Sequence, residues 1–152
     1  MLPTPKKVTV VAGGSEGDTR LTAFDKALMK AGIGNLNLIR VSSILPPAVD
    51  YVESLVIPPG SLTPTAYGSI TSDTPGEVIS ASIGIGFSES DYGLIMEFSG
   101  ICSKEEAERI VTAMVEEGFA ARGMVAKEIK VAAVEHKVEK VGAVVAAAAL
   151  WY

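Results

Sequence analysis

The sequence predicts an α+β fold, and three observations carry that expectation. Two segments have helical spacing with end signals, around residues 18–32 and 103–118. Several short β-branched or alternating runs surround them, each bounded by glycine or proline. No internal repeat or low-complexity linker divides the 152 residues, a length that suits one domain able to bury a core unaided.

Val8 to Ala12 is apolar and β-branched and runs into Gly13-Gly14, so a short strand should enter a turn at Ser15 to Asp18. Leu21, Phe24, Ala27, Leu28 and Ala31 then recur at helical spacing, with Asp18 or Thr19 as cap and Gly32 closing the helix. Asn35 to Val41 reads as a strand that ends before Pro46-Pro47, because proline has no N–H for a ladder. Tyr51 to Ile57 reads as another extended piece, Leu62 to Thr71 as a strand, and Thr74-Pro-Gly-Glu77 as a type II turn.

From Val78 to Phe87 the alternation is clear, with Ile79, Ala81, Ile83, Ile85 and Phe87 on one face and Ser80, Ser82, Gly84 and Gly86 on the other. The small face lets another sheet or subunit approach closely, unless its glycines mark bulges. Leu94 to Phe98 is a strand interrupted by Glu97. Ser103-Lys-Glu-Glu106 is a capping box, and Ala107, Ile110, Val111, Met114 and Val115 form a helical stripe that runs out near Gly118. Ile129 to Lys140 alternates partly, and a turn at Gly142 leads to a buried last strand, Val141 to Trp151.

Composition narrows the partners. Thirteen basic against eighteen acidic side chains give a net charge of −5, which argues against nucleic acid and anionic membrane surfaces. The longest apolar run falls well short of the roughly 20 residues that span a bilayer, and the N-terminal residues lack a secretory pattern. A single cysteine, Cys102, permits no intrachain disulfide and suits a reducing compartment, so the cytoplasm is the expected location. One histidine, His136, sits between Glu135 and Lys137 and reads as a surface or sheet residue, and with a lone cysteine it leaves no evident metal cluster. Gly32 to Asn37 lies after a helix and before a strand, the reverse of a dinucleotide fingerprint, and Gly13 to Gly17 lacks the ending of a phosphate loop.

The most informative dipeptide is Ser42-Ser43 in Asn35-Leu-Asn-Leu-Ile-Arg-Val-Ser-Ser-Ile-Leu-Pro-Pro47. For an isolated pair, a strand end turning into two prolines is the commoner reading. The pair also permits backbone chemistry: attack of the Ser43 hydroxyl on the Ser42 carbonyl gives an ester, elimination breaks the chain, and hydrolysis leaves a pyruvoyl ketone on residue 43.

Ala23-Phe-Asp-Lys-Ala-Leu28, the segment from Gly32 to Pro47, and Leu94-Ile-Met-Glu-Phe98 together resemble pyruvoyl-dependent arginine decarboxylases. The resemblance continues through Pro64-Thr-Ala-Tyr-Gly68, Ser72-Asp-Thr-Pro-Gly-Glu77, Cys102-Ser-Lys-Glu-Glu-Ala107 and Ala146 to Tyr152, in the family's order. It implies a sandwich of packed sheets flanked by helices, assembled as a trimer or a multiple of trimers. It also implies self-cleavage of residues 1–152 into 1–42 and 43–152, and decarboxylation of L-arginine to agmatine and CO2 in polyamine biosynthesis. The substrate amine would form a Schiff base with the pyruvoyl group from Ser43, without pyridoxal phosphate or metal. Two alternatives stand beside this: a pyruvoyl decarboxylase of another amino acid, and an unprocessed, non-catalytic trimeric paralogue.

Three further residues take roles from the resemblance. Glu97 matches the proton donor, and a carboxyl in an apolar strand should be held protonated by desolvation, although strand glutamates more commonly face solvent or pair with lysine. Asp25 matches the carboxylate that recognises guanidinium; read alone, it is a helix charge beside Phe24 and near Lys26 and Lys30. Asn37 matches an asparagine used in self-cleavage, its plain reading being a polar residue on an exposed strand face. Six residues of extended strand separate Asn37 from Ser43, about 20 Å at ~3.3 Å per residue. Either the chain folds sharply between them, or the Asn37 serving a given Ser43 belongs to a neighbouring subunit.

Overall fold

A computed structural model describes residues 2–152. The elements are β1 (Lys7–Glu16), α1 (Arg20–Lys30), β2 (Asn37–Arg40), β3 (Ile44–Leu45), β4 (Asp50–Tyr51), β5 (Leu62–Ser72), β6 (Val78–Phe87), β7 (Gly93–Gly100), α2 (Lys104–Ala121), β8 (Glu128–Lys137) and β9 (Gly142–Trp151). Among the described residues nine strands form two sheets, one ordered β2-β5-β9-β1-β4 and the other β3-β7-β6-β8. The α+β expectation holds, and so does the sandwich of packed sheets flanked by helices.

The sheets face each other across one core. Val144, Ala146, Ala148 and Leu150 of β9 meet Ile79, Ala81, Ile83 and Ile85 of β6, all buried. Removing each Ile or Leu side chain from water contributes roughly 1.5–3 kcal/mol, which outweighs the poor strand propensity of the alanines in β9. The opposite face of β9, with Ala143, Val145 and Ala147, lies under Ala23, Ala27 and Ala31 of α1. The layers therefore run α1, five-stranded sheet, four-stranded sheet, α2. No helix among the described residues is long and apolar enough to cross a membrane.

Several sequence expectations are corrected. Gly13 and Gly14 do not end the first strand, since β1 continues to Glu16 and pairs with β9 from Lys7↔Trp151 to Glu16↔Gly142. Gly13 is there for close approach: a Cβ would stand 2.5 Å from the Ala31 nitrogen, so glycine lets α1 sit on the sheet. Thr19, not Asp18, caps α1 through a reciprocal box with Thr22. Leu21 is 76% exposed, because the buried line of this helix is Ala23, Ala27 and Ala31. Of the piece from Tyr51 to Ile57 only Tyr51 lies in a strand, together in β4 with Asp50 before it. Gly118 does not end α2, which continues to Ala121 with Leu94 and Met96 packed on that glycine.

The small face of β6 is also not a surface for another subunit. Helix α2 covers it: Ser80 Oγ donates to the Cys102 carbonyl at 2.5 Å and Ser82 Oγ to the Ala107 carbonyl at 2.8 Å. A Cβ on Gly84 would stand 3.0 Å from Val115, and one on Gly86 2.5 Å from Phe119. Small residues are required here because the helix packs directly on the strand.

His136 lies in β8, half-buried, with Nε2 2.5 Å from Glu16 Oε2. The same carboxylate accepts the backbone N–H groups of Glu139, Lys140 and Val141, so it fastens the turn between β8 and β9 to the end of β1. Burial pushes the Glu16 carboxyl up, but the bond to His136 and the backbone N–H donors outweigh it and bring the pKa from 4.5 down to about 2. A depressed carboxyl stabilises the fold above its unfolded pKa and loses that contribution as pH falls through the folded value. Glu16→Gln is therefore expected to lower stability at pH 7 on the order of 2 kcal/mol, after allowing for solvent screening of a partly exposed group. The gap between the two proteins should close between pH 4.5 and about 2, as read from urea midpoints across that range.

Candidate active site

Backbone pairing dictates where the serine pair sits. Strand β2 belongs to the five-stranded sheet and pairs parallel with β5, and Val41 N–H still donates to the Thr65 carbonyl at 3.1 Å. Strand β3 belongs to the other sheet, pairing with β7 through Ile44↔Leu94 and Leu45↔Gly93. Ser42 and Ser43 are thus the crossing between the two sheets. The Ser43 carbonyl is held by the Ile95 N–H at 2.8 Å, while the Ser42–Ser43 peptide bond lies outside both ladders. Ser42 is exposed and Ser43 half-buried.

The crossing brings chemistry together. Ser42, Ser43, Ile95, Met96, Glu97 and Met114 line one pocket of about 190 Å³ at the edge of the sandwich. Three of these come from β7 and Met114 comes from α2. A larger pocket of about 390 Å³, lined by Met29, Gly32, Gly34 and Asn35, contains no titratable side chain. The small pocket places the hydroxyls of the sheet-crossing serine pair and the Glu97 carboxyl on common walls.

Glu97 pairs with Ile83 of β6 across the sheet and faces Gly68 of β5, where a Cβ would come within 3.2 Å of its side chain. Burial pushes the Glu97 carboxyl above its ordinary value, and the guanidinium of Arg40 pulls it only part of the way back. Arg40 Nη2 is 4.0 Å from Glu97 Oε1. The same nitrogen donates to the Tyr67 carbonyl at 2.6 Å, and the guanidinium carbon lies 4.3 Å from the centre of the Tyr67 ring. Glu97 is accordingly neither a freely solvated strand residue nor a lysine partner, since its near cation is Arg40.

The other two expected residues lie elsewhere in the protomer. Asn37 is exposed at the start of β2, with Nδ2 donating to the Gly60 carbonyl at 2.9 Å. Strand β2 runs extended from Asn37 to Arg40, so the chain does not fold sharply there to bring Asn37 back to Ser43. Asp25 is exposed on α1 rather than partly buried, in the layer across the sandwich from α2, and forms no ion pair among the described residues. Sequence reasoning missed Arg40, Met96 and Met114. None left a local signal, because the contacts that bring them to the site are long-range.

The residues present fit a pyruvoyl group at position 43. A serine occupies the position, its carbonyl is fixed by a backbone donor, two methionines make apolar walls, and a carboxyl with raised proton affinity shares the cavity. Among the described residues, no group of three His, Cys, Asp or Glu side chains is placed to hold a metal ion. A packed-sheet α+β protein with this pocket has the parts of a decarboxylase that makes its electron sink from its own backbone.

Comparison with known proteins identifies which such family it is. Residues 7–152 match the family model described as pyruvoyl-dependent arginine decarboxylase. The chain is 55% identical over 150 residues to the pyruvoyl-dependent arginine decarboxylase of Methanocaldococcus jannaschii, covering 97% of this chain and 91% of that protein. It is 51% identical over 152 residues to the protein of the same description from Pyrococcus furiosus, covering 97% and 96%. A Methanococcus maripaludis relative of that description is 47% identical over 150 residues, covering 97% and 92%. The chain belongs to the pyruvoyl-dependent arginine decarboxylase family.

Proposed function

We propose that the chain cuts itself between Ser42 and Ser43 into residues 1–42 and 43–152, and that the processed enzyme converts L-arginine to agmatine and CO2. The observation that carries this reading is the shared pocket of Ser43 and Glu97, residues 54 positions apart in sequence. The pyruvoyl ketone at position 43 would supply the electron sink that decarboxylation requires, which leaves no role for pyridoxal phosphate or a metal. The Ile95 N–H orients the carbonyl of residue 43. Met96 and Met114 give the pocket an apolar side, where loss of a carboxylate as neutral CO2 is favoured. Glu97, whose proton affinity burial raises, delivers its proton from the carboxyl to the substrate carbon.

Asn37 and Asp25 enter through assembly, as a trimer or a multiple of it. Asp25 lies on α1 between Leu21 and Met29 at four-residue spacing, and these apolar side chains are 76% and 64% exposed. Asn37 shares a face of edge strand β2 with Ile39, also exposed. Apolar surface around both polar residues supports a site completed by a neighbouring copy. There Asn37 would act in cleavage and Asp25 would accept paired N–H bonds from the substrate guanidinium. The reading places the enzyme in the cytoplasm, where the single thiol of Cys102 stays reduced.

A substrate panel tests the assignment. Processed protein should prefer arginine over lysine, ornithine and histidine, and Asp25→Asn should lower kcat/KM for arginine by ~10²-fold, as expected when one member of a desolvated charged pair is removed. Unchanged arginine efficiency in Asp25→Asn would withdraw the guanidinium role. Preference for another amino acid would replace the substrate while leaving the cleavage chemistry in place.

A further inference from the structure

Arg40 lies two residues before the serine junction, on the 1–42 side, whereas Glu97 lies on the 43–152 side. Its guanidinium is tethered by the Tyr67 carbonyl and ring, and its separation from Glu97, 4.0 Å, is that of a loose ion pair between partly exposed side chains. Ser42, meanwhile, lines the same pocket as Glu97. A cation therefore stands within reach of one carboxyl in the intact chain, and two residues from the place where cleavage creates a second.

The stoichiometry of cleavage fixes the charge change. The Ser43 hydroxyl attacks the Ser42 carbonyl carbon and the C–N bond breaks, giving an ester. Elimination then breaks the C–O bond at residue 43, releasing the Ser42 α-carboxylate and dehydroalanine, and one water converts the latter to the ketone with loss of ammonia. Before the cut, the pocket edge holds one cation and one carboxyl; afterwards it holds one cation and two carboxyls. An α-carboxyl is ordinarily the stronger acid, with a pKa near ~3.5 against ~4.3 for glutamate. Two neighbouring carboxyls do not both ionise freely, and the weaker, more buried acid keeps the proton.

We propose that Arg40 is a positioning residue shared by two carboxyls in turn, holding Glu97 in the intact chain and the Ser42 α-carboxylate after cleavage, so that the cut itself frees Glu97 to serve as proton donor. This rests on the self-cleavage reading above. Around Glu97, β5 brings Gly68, β6 brings Ile83 and the shared pocket brings Met114, while the cation paired with its carboxylate is Arg40, itself stacked on Tyr67. Burial already favours the protonated form, and Arg40 is the charge that opposes it.

The test is carboxyl NMR titration of protein carrying ¹³C-labelled glutamate and serine. It compares processed wild-type with Ser43→Ala, which holds the intact state, and repeats both with Arg40→Met and Arg40→Lys. Intact mass reports the cut separately. The Glu97 midpoint should rise by about one pH unit on cleavage. In the intact state, Arg40→Met should raise it and Arg40→Lys should restore it in part. In the processed state, the Ser42 carboxyl should titrate below its ordinary range, and Arg40→Met should bring it back up. Equal Glu97 midpoints in cut and uncut wild-type backgrounds overturn the proposal while leaving self-cleavage standing, as does a Ser42 midpoint indifferent to Arg40. A wild-type chain that never cuts overturns both. The comparison of cut with uncut protein needs no Arg40 variant, so it stands even if those variants fold poorly.

Discussion

Ser43→Ala is expected to leave one uncut chain of 15.8 kDa with no decarboxylase activity, while the parent separates under denaturing conditions into two fragments. The larger parental fragment should begin at residue 43 and lack one ammonia relative to an N-terminal serine. The argument rests on position: the junction crosses from one sheet to the other, anchored by Val41 on one side and by the Ser43 carbonyl on the other. Replacing the hydroxyl with hydrogen removes the nucleophile but neither anchor, so the variant should fold with stability within about 0.5 kcal/mol of an uncut reference. Native conditions should not separate the parental fragments. Residues 1–42 contain β1, whose ten-residue ladder with β9 joins the small fragment to the centre of the five-stranded sheet. Cleavage persisting in Ser43→Ala would assign the break to another nucleophile or to a protease, and the pyruvoyl assignment would fall with it.

What the sequence could and could not reveal follows from the range of each interaction. Helix α2 was legible because its signals are local: Ser103 accepts the Glu106 N–H, and Ala107, Val111 and Val115 repeat on one buried face. The alternation of β6 was equally plain. The occupant of its small face was not, since Ser82 and Gly84 look the same in sequence whether a helix of the same chain or another subunit covers them. Gly13 misled for a similar reason. A glycine required by the approach of α1 is locally indistinguishable from one that starts a turn, and only the 2.5 Å clash at an added Cβ separates the two.

The site divides in the same way. Ser42, Ser43 and Glu97 were legible as motifs, and the two sheets do bring them to one cavity. Arg40 carried no recognised signal because its partners, Tyr67 and Glu97, belong to β5 and β7 of different sheets and meet it only where β2 ends. Asp25 and Asn37 are exposed and stand outside the lining of that cavity, so no contact within the protomer joins their motif matches to Ser43.

Glu97→Gln should separate maturation from turnover more sharply than any other substitution. The amide keeps the shape of the side chain against Gly68 and should leave self-cleavage intact if, as proposed, the nucleophile is the Ser43 hydroxyl. It has no carboxyl proton to give, so kcat for agmatine formation should fall by ~10²-fold or more, the usual range for loss of a general acid. The pH dependence fixes the sign. Burial raises the Glu97 pKa, the donor works only while protonated, and parental activity should therefore decline as pH rises through that raised value. Glu97→Gln should keep only a low residual rate without that alkaline decline. Glu97→Asp retains the acid but withdraws it by one methylene, so it should lie between the two in rate while keeping a pH-dependent limb. Processed Glu97→Gln that turns over at the parental rate would move the proton donor elsewhere. A variant that fails to cleave would instead show that Glu97 acts already in maturation, with the Ser42–Ser43 peptide as the first substrate of its proton.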